Sequence, residues 1–167
     1  MDPLLPIFIL IPVVAGTVSG LVAMRINRDG FRSWYQTLRK APWNPPQWVF
    51  GPVWTVLYLL MGYASYRILD SKDSARWTAL GFFWAQLTLN ILWSPVFFGM
   101  RKVIIAVYIM VVLWCLIAVT LTLFWLLDMV AGAILVPYLL WVSYALTLNI
   151  YIVKNNSVES LQHQYPE

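Results

Sequence analysis

Apolar residues run along this chain in long unbroken blocks, and five blocks come close to the roughly 20 residues an α-helix needs to cross a hydrocarbon layer. They cover residues 4–24, 48–69, 77–99, 103–126 and 130–153. No carboxylate falls within them, and their one charge, Arg67, sits near the end of its block, where a long side chain is expected to snorkel to the headgroups. Backbone polar groups find no water inside a bilayer, so such blocks form helices and not open strands. The pattern predicts an all-α membrane protein: a bundle of five transmembrane helices in a single domain over residues 1–167, with a polar C-terminal tail at 154–167. The first block has no basic region before it and no small-residue cleavage pattern, so it is expected to be a mature helix and not a removable signal.

Composition agrees with the pattern. The chain is 61% apolar and 11% charged, against about 25% charged in ordinary soluble domains, too little to clothe a water-facing surface. The net charge of +4 does not point to nucleic acid, because the basic residues lie in short loops flanking the spans. Arg25, Arg28, Arg32, Arg39, Lys40, Arg101, Lys102 and Lys154 fall on one side, and Arg67, Lys72 and Arg76 on the other. By the positive-inside rule the first loop, the third loop and the C-terminus face the cytoplasm, with the N-terminus opposite. A single cysteine, Cys115, excludes an intrachain disulfide and leaves a thiolate metal site short of ligands. His163, the one histidine, is expected to be solvated between Gln162 and Gln164. No metal site is expected, and no required cofactor.

The first loop, 25–47, ends in a run joining Pro42, Pro45 and Pro46 to Trp43, with Trp48 following. Proline fixes φ and pushes the preceding residue toward extended geometry, so this run is not regular helix. It reads as a stiff lid lying on the bundle or as a linker with aromatic anchors, the lid being the sharper reading. In the third span Gln86, Asn90 and Trp93 share one face, and in the fifth Tyr138, Trp141, Ala145, Leu148 and Asn149 do so. Amides are costly in lipid, so these faces point inward and either cross-link helices or receive a ligand. Ala145 between large neighbours leaves room beside Trp141 for a flat guest. Gly51 and Pro52 open the second span, where a pocket mouth is expected. Gly16 and Gly20 form a G-x-x-x-G pattern suited to intramolecular packing, and Gly81 with Ala85 is a candidate subunit contact. The absence of intramembrane carboxylates disfavours an ion-coupled pump, and no nucleotide-binding or Ser/His/Asp pattern is present.

Taken together, Trp34-Tyr35, Pro42-Trp43, Pro45-Pro46, Trp48, Trp54, Met61-Gly62-Tyr63-Ala64-Ser65-Tyr66, Gln86-Leu87, Asn90, Trp93-Ser94-Pro95, Phe97-Phe98-Gly99, Pro137-Tyr138, Trp141, Ala145 and Leu148-Asn149 resemble the translocator protein family, also called tryptophan-rich sensory proteins, over about residues 16–155. The resemblance implies a homodimeric five-helix bundle. Its pocket, open toward the first loop, takes protoporphyrin IX or a haem-type tetrapyrrole, and cholesterol in animal members. Carried onto this chain, the ligand-binding positions are Ala23, Phe50, Gly51, Val53, Trp54, Asn90, Trp93, Trp141, Ala145 and Leu148. Trp54 and Trp141 are the catalytic candidates if bound porphyrin is degraded in light, as in some bacterial relatives.

Leu148, Tyr151 and Lys154 fit the sterol-contact pattern at the end of the fifth span. Ile105 and Tyr108 stand where mammalian members carry a Trp and a small residue. Three functions follow as expectations: a tetrapyrrole or sterol binding and transport protein, a porphyrin-degrading enzyme, or a sensor acting through protein partners. The resemblance implies the mitochondrial outer membrane for a eukaryotic source, toward which the reading leans, and a bacterial envelope membrane otherwise.

Overall fold

The computed structural model describes residues 4–26, 31–157 and 160–161, without the side chains of 31–33. Arg28, the side chain of Arg32, and His163 with its neighbours Gln162 and Gln164 lie outside the described residues. Five long apolar helices make the bundle: α1 (Leu4–Ile26), α3 (Gln47–Asp70), α4 (Arg76–Ser94), α5 (Val103–Leu127) and α6 (Met129–Asn155). Each is long and apolar enough to cross a membrane, and with the fourth span followed through to Gly99 the five spans read from hydropathy agree with their limits to within two residues. A short helix that hydropathy does not reveal, α2 (Phe31–Thr37), lies in the first loop. No strand occurs among the described residues.

The core is built from one face each of α3, α4, α5 and α6, with Met61, Ile68, Phe83, Ile117, Phe124, Leu135 and Val142 fully enclosed. A second cluster closes the opposite end, where Trp34, Tyr35 and Leu38 of the first loop pack on Phe97, Val103, Ala106, Ile152 and Leu161. α1 is the peripheral helix and buries only Pro12, Ser19 and Ala23.

Two prolines explain how α1 is held. Pro12 has no N–H, so the Phe8 carbonyl one turn back loses its helical partner. α3 approaches at that point through Gly62, where a Cβ would stand 2.6 Å from both the Phe8 oxygen and Ile9 Cα. Pro95 likewise frees the carbonyl of Ile91, and the Ser19 hydroxyl of α1 donates to it. Beyond Pro95 the fourth span continues as one π-helical turn, Pro95–Gly99, closed by Met100 N–H donating to the Pro95 carbonyl at 2.8 Å. Arg101 then takes a left-handed backbone (φ 55°) to end the span.

At the other end Arg67, near the close of its span, has a protein partner. Its guanidinium pairs with Asp128 at 2.7 Å and lies 6.0 Å from the Tyr63 ring centroid. Asp128 belongs to the α5–α6 turn, so it falls outside every apolar block and gave no hint of this contact. Its carboxylate also caps α6, accepting from Val130 N–H at 2.8 Å and Ala131 N–H at 3.2 Å. Partial burial works to raise this carboxyl, but the Arg67 hydrogen bond, the two backbone donors and the Arg67 charge outweigh it and hold it below the usual carboxylate range. The turn is tight because Gly132 lies where a Cβ would come within 2.6 Å of the Trp125 backbone.

Candidate functional site

Between the two clusters, toward the first-loop end, the bundle encloses a cavity of about 540 Å³. All five long helices, α2 and the π-helical turn contribute to its wall. The volume lies within the ~300–1,000 Å³ typical of small-molecule sites, and the lining matches their usual character, aromatic and apolar with a few placed polar groups. Phe50 and Trp54 of α3, Trp93 and Phe97 of the fourth span, Met110 of α5, and Val142, Ala145 and Leu148 of α6 all line it. Trp93 stacks on Phe97 with centroids 5.0 Å apart, and Trp54 stacks on Tyr58 at 5.5 Å.

The polar groups form a directed chain from the cavity into the core. The Tyr58 hydroxyl donates to Asn90 Oδ1 at 2.7 Å, Asn90 Nδ2 donates to the Tyr138 hydroxyl at 3.1 Å, and Tyr138 donates to Gln86 Oε1 at 2.8 Å. Gln86 therefore cross-links α4 to α6 and does not line the cavity, while Asn90 serves both as cross-link and as lining. Asn149 donates to the Ala145 carbonyl at 2.8 Å, but its Oδ1 is buried with no partner among the described residues, as is the Trp93 Nε1–H. A membrane interior leaves such groups costly.

Eight of the ten expected ligand positions line this cavity: Ala23, Phe50, Gly51, Trp54, Asn90, Trp93, Ala145 and Leu148. Val53 and Trp141 do not. They line a separate, apolar, outward-facing groove between α3 and α6, together with Pro52 and Pro137. Trp141 touches the ring of the lining residue Phe50 edge-on at 5.8 Å. Helix angle does not account for its absence from the cavity wall, because Trp141 lies between Leu148 and Ala145 on the α6 wheel and both of those line the cavity; the ring of Phe50 on α3 stands against Trp141 instead. In the sterol pattern, Leu148 is buried in the cavity wall, Tyr151 turns to the Trp43 ring (5.5 Å), and Lys154 is exposed. They do not share one outer face.

The proline-tryptophan run does not form the inner surface of the lid either. Pro42, Trp43, Pro45, Pro46 and Trp48 do not line the cavity, and Trp43 and Trp48 are mostly exposed. The cap is α2 and the residues just after it, with Trp34, Tyr35, Leu38 and Ala41 buried and Tyr35 reaching the cavity. Burial raises the Tyr35 hydroxyl above its ordinary pKa, opposed by a hydrogen bond with Asn44. The run instead ties the cap down. Tyr144 donates to the Trp43 carbonyl at 2.6 Å, and Asn156 clamps Arg39 by accepting from its N–H at 2.9 Å and donating to its carbonyl at 3.0 Å.

Lining residues that sequence reasoning did not nominate include Tyr35, Tyr58, Met110 and Leu113. Tyr58 was reachable, since it lies one turn from Trp54. Met110 and Leu113 were not, because α5 is apolar all round and its sequence does not distinguish an inner face. Gly16 and Gly20 both line the cavity but part company in packing: a Cβ on Gly16 would fall inside the Tyr58 ring, whereas one on Gly20 would meet nothing within 4 Å.

Fold and cavity together define the class, a polytopic α-helical membrane protein with a binding role. Comparison with known proteins is specific. The model of the TspO/MBR family matches residues 8–154. The chain is 44% identical over 123 residues to the tryptophan-rich sensory protein of Cereibacter sphaeroides, covering 74% of this chain and 77% of that one. It is 42% identical over 127 residues to the tryptophan-rich protein TspO of Chlorobaculum tepidum (74% and 80%) and 36% identical over 134 residues to the human translocator protein (78% and 79%). The chain belongs to the TspO/MBR family.

Proposed function

We propose that this protein binds a tetrapyrrole of the protoporphyrin IX type in the cavity and carries it within or across the membrane, with sterols or related lipids as further ligands. The observation that carries the reading is the cavity wall. Indole and phenyl rings of Trp54, Phe50, Trp93 and Phe97 offer faces to a flat conjugated guest, the small Gly51 and Ala145 leave it room, and Asn90 and Asn149 supply amides at one side. Light-dependent degradation is the weaker reading. Of its two tryptophans only Trp54 lines the cavity, and Trp141 stands behind Phe50.

A homodimer through the outer face of α4 accompanies the proposal, because Gly81 and Ala85 are both exposed there and nothing lies within 4 Å of a Cβ at Gly81. The basic first-loop end is assigned to the cytoplasm with the C-terminus, in a mitochondrial outer membrane or a bacterial envelope membrane according to source. The test is a protoporphyrin IX titration in the dark, read by tryptophan quenching and Soret absorbance. Saturable binding that Ala145→Leu weakens by about tenfold, the loss expected when a guest is pushed off its wall, supports the cavity. Non-saturable partitioning identical in both proteins refutes it.

A further inference from the structure

We propose that the cavity is loaded sideways from the bilayer, through a window between α1 and α3, and not from the water through the first loop. This rests on reading the cavity as the ligand site, and it narrows the ligand to a molecule that partitions into the membrane.

The two helices form a V. They are in closest contact at Gly62 against Phe8 and Ile9, and they still touch where Gly16 receives the Tyr58 ring. Toward the first-loop end they part. There Thr17, Gly20 and Met24 of α1 face Gln47, Gly51 and Thr55 of α3 across an opening, and all six line the cavity. Five of them are exposed, and Gly20 and Gly51 have nothing within 4 Å of a Cβ. The cavity wall and the outer surface are therefore the same residues at this place.

The rim is chemically fit to face lipid. Its two threonines donate within their own helices, Thr17 to the Val13 carbonyl at 2.8 Å and Thr55 to the Gly51 carbonyl at 3.0 Å, so neither hydroxyl is left unpaired in hydrocarbon. The outer turns of α1 beside the window carry Val14, Val18, Leu21 and Val22, all exposed and apolar, which places the opening at membrane depth. Among the described residues the first-loop end is covered and latched by contrast. Opening it breaks the Asn156–Arg39 clamp and the Tyr144–Trp43 hydrogen bond and uncovers Trp34, Tyr35 and Leu38. Among the described residues, no side-chain hydrogen bond joins α1 to α3 across the window.

The experiment uses the full chain in phosphatidylcholine nanodiscs, with Cys115→Ser as background and Ala145→Cys as a reporter on the far wall of the cavity. Benzylmaleimide, which dissolves in the bilayer, and a sulfonated maleimide, which does not, are compared for labelling rate. Thr17→Trp with Thr55→Trp fills the window from two exposed positions, Thr55→Trp alone gives a smaller obstruction, and Asn156→Ala releases the cap. The window predicts benzylmaleimide labelling slowed about tenfold or more by the tryptophan pair, less by the single change, and altered less than about twofold by Asn156→Ala, the ordinary scatter of rates when the route is untouched. Labelling unaffected by the tryptophans, or labelling by the sulfonated reagent that Asn156→Ala speeds up, overturns it. Labelling needs no natural ligand. A wild-type protein that fails to bind protoporphyrin IX yet shows window-dependent labelling removes the proposed ligand and leaves the route standing, whereas saturable binding with window-independent labelling removes the route alone.

Discussion

Gly62→Ala is the most direct test of how the bundle is held together. The added methyl would stand 2.6 Å from the Phe8 carbonyl oxygen and 2.6 Å from Ile9 Cα, both backbone atoms of α1 that no side-chain rotation can move. Ordinary contact requires α1 to withdraw by most of an ångström. Overpacking of this kind costs about 1–3 kcal/mol, and the better helix propensity of alanine returns at most about 1 kcal/mol. Gly20→Ala on α1 is the control, because its methyl meets nothing within 4 Å and only the propensity gain remains. The two variants should therefore lie on opposite sides of wild type, separated by about 2 kcal/mol, a ratio of roughly 30 in folded to unfolded protein. Reversible unfolding of the ligand-free protein in mixed micelles, followed by helical circular dichroism, measures the difference. Equal stabilisation by both substitutions would refute the close crossing of α1 and α3, and with it the V from which the window is derived.

Other expectations follow from single contacts. Asp128→Ala removes both the α6 cap and the Arg67 partner and should cost about 1–2 kcal/mol, most of it from the cap because the ion pair is partly exposed, while Asp128→Asn should cost less. Since this carboxyl is held low in the folded protein, its contribution is complete above the unfolded value and fades as pH falls through the folded one, so the Asp128→Asn deficit should shrink below about pH 4 in unfolding curves. Tyr138→Phe leaves Gln86 Oε1 and one Asn90 donor without their partner and should cost about 1–2 kcal/mol in the same assay, with no loss expected if the chain of hydrogen bonds is absent. Trp54→Phe should weaken protoporphyrin IX binding and Trp141→Phe change it little; the reverse order would place Trp141, not Trp54, against the ligand.

Much of the site was legible because helical periodicity relates sequence to angle. Asn90 and Trp93, or Ala145 and Leu148, could be assigned to inner faces from spacing, and the family pattern supplied Ala23, Phe50, Gly51 and Trp54. Trp141 shows where that method stops. Its place on the helix wheel lies between those of Leu148 and Ala145, and only the position of Phe50 on another helix decides that its ring faces the outer groove. The proline-tryptophan run was recognised as irregular but was given the role that α2 performs, because a seven-residue helix carries too little periodicity to be seen.

The sequence alone determined that the chain crosses a membrane as five helices, and where each begins and ends, because a bilayer leaves a long apolar block no other way to satisfy its backbone. It also determined which end of the bundle is basic. The tertiary structure decided everything that depends on distance between helices: that Arg67 finds Asp128, that Gly16 is packed while Gly20 is open, that the cap is latched, and that α1 and α3 diverge. Those outcomes depend on how side chains from different helices fill shared space, and no single helix encodes that.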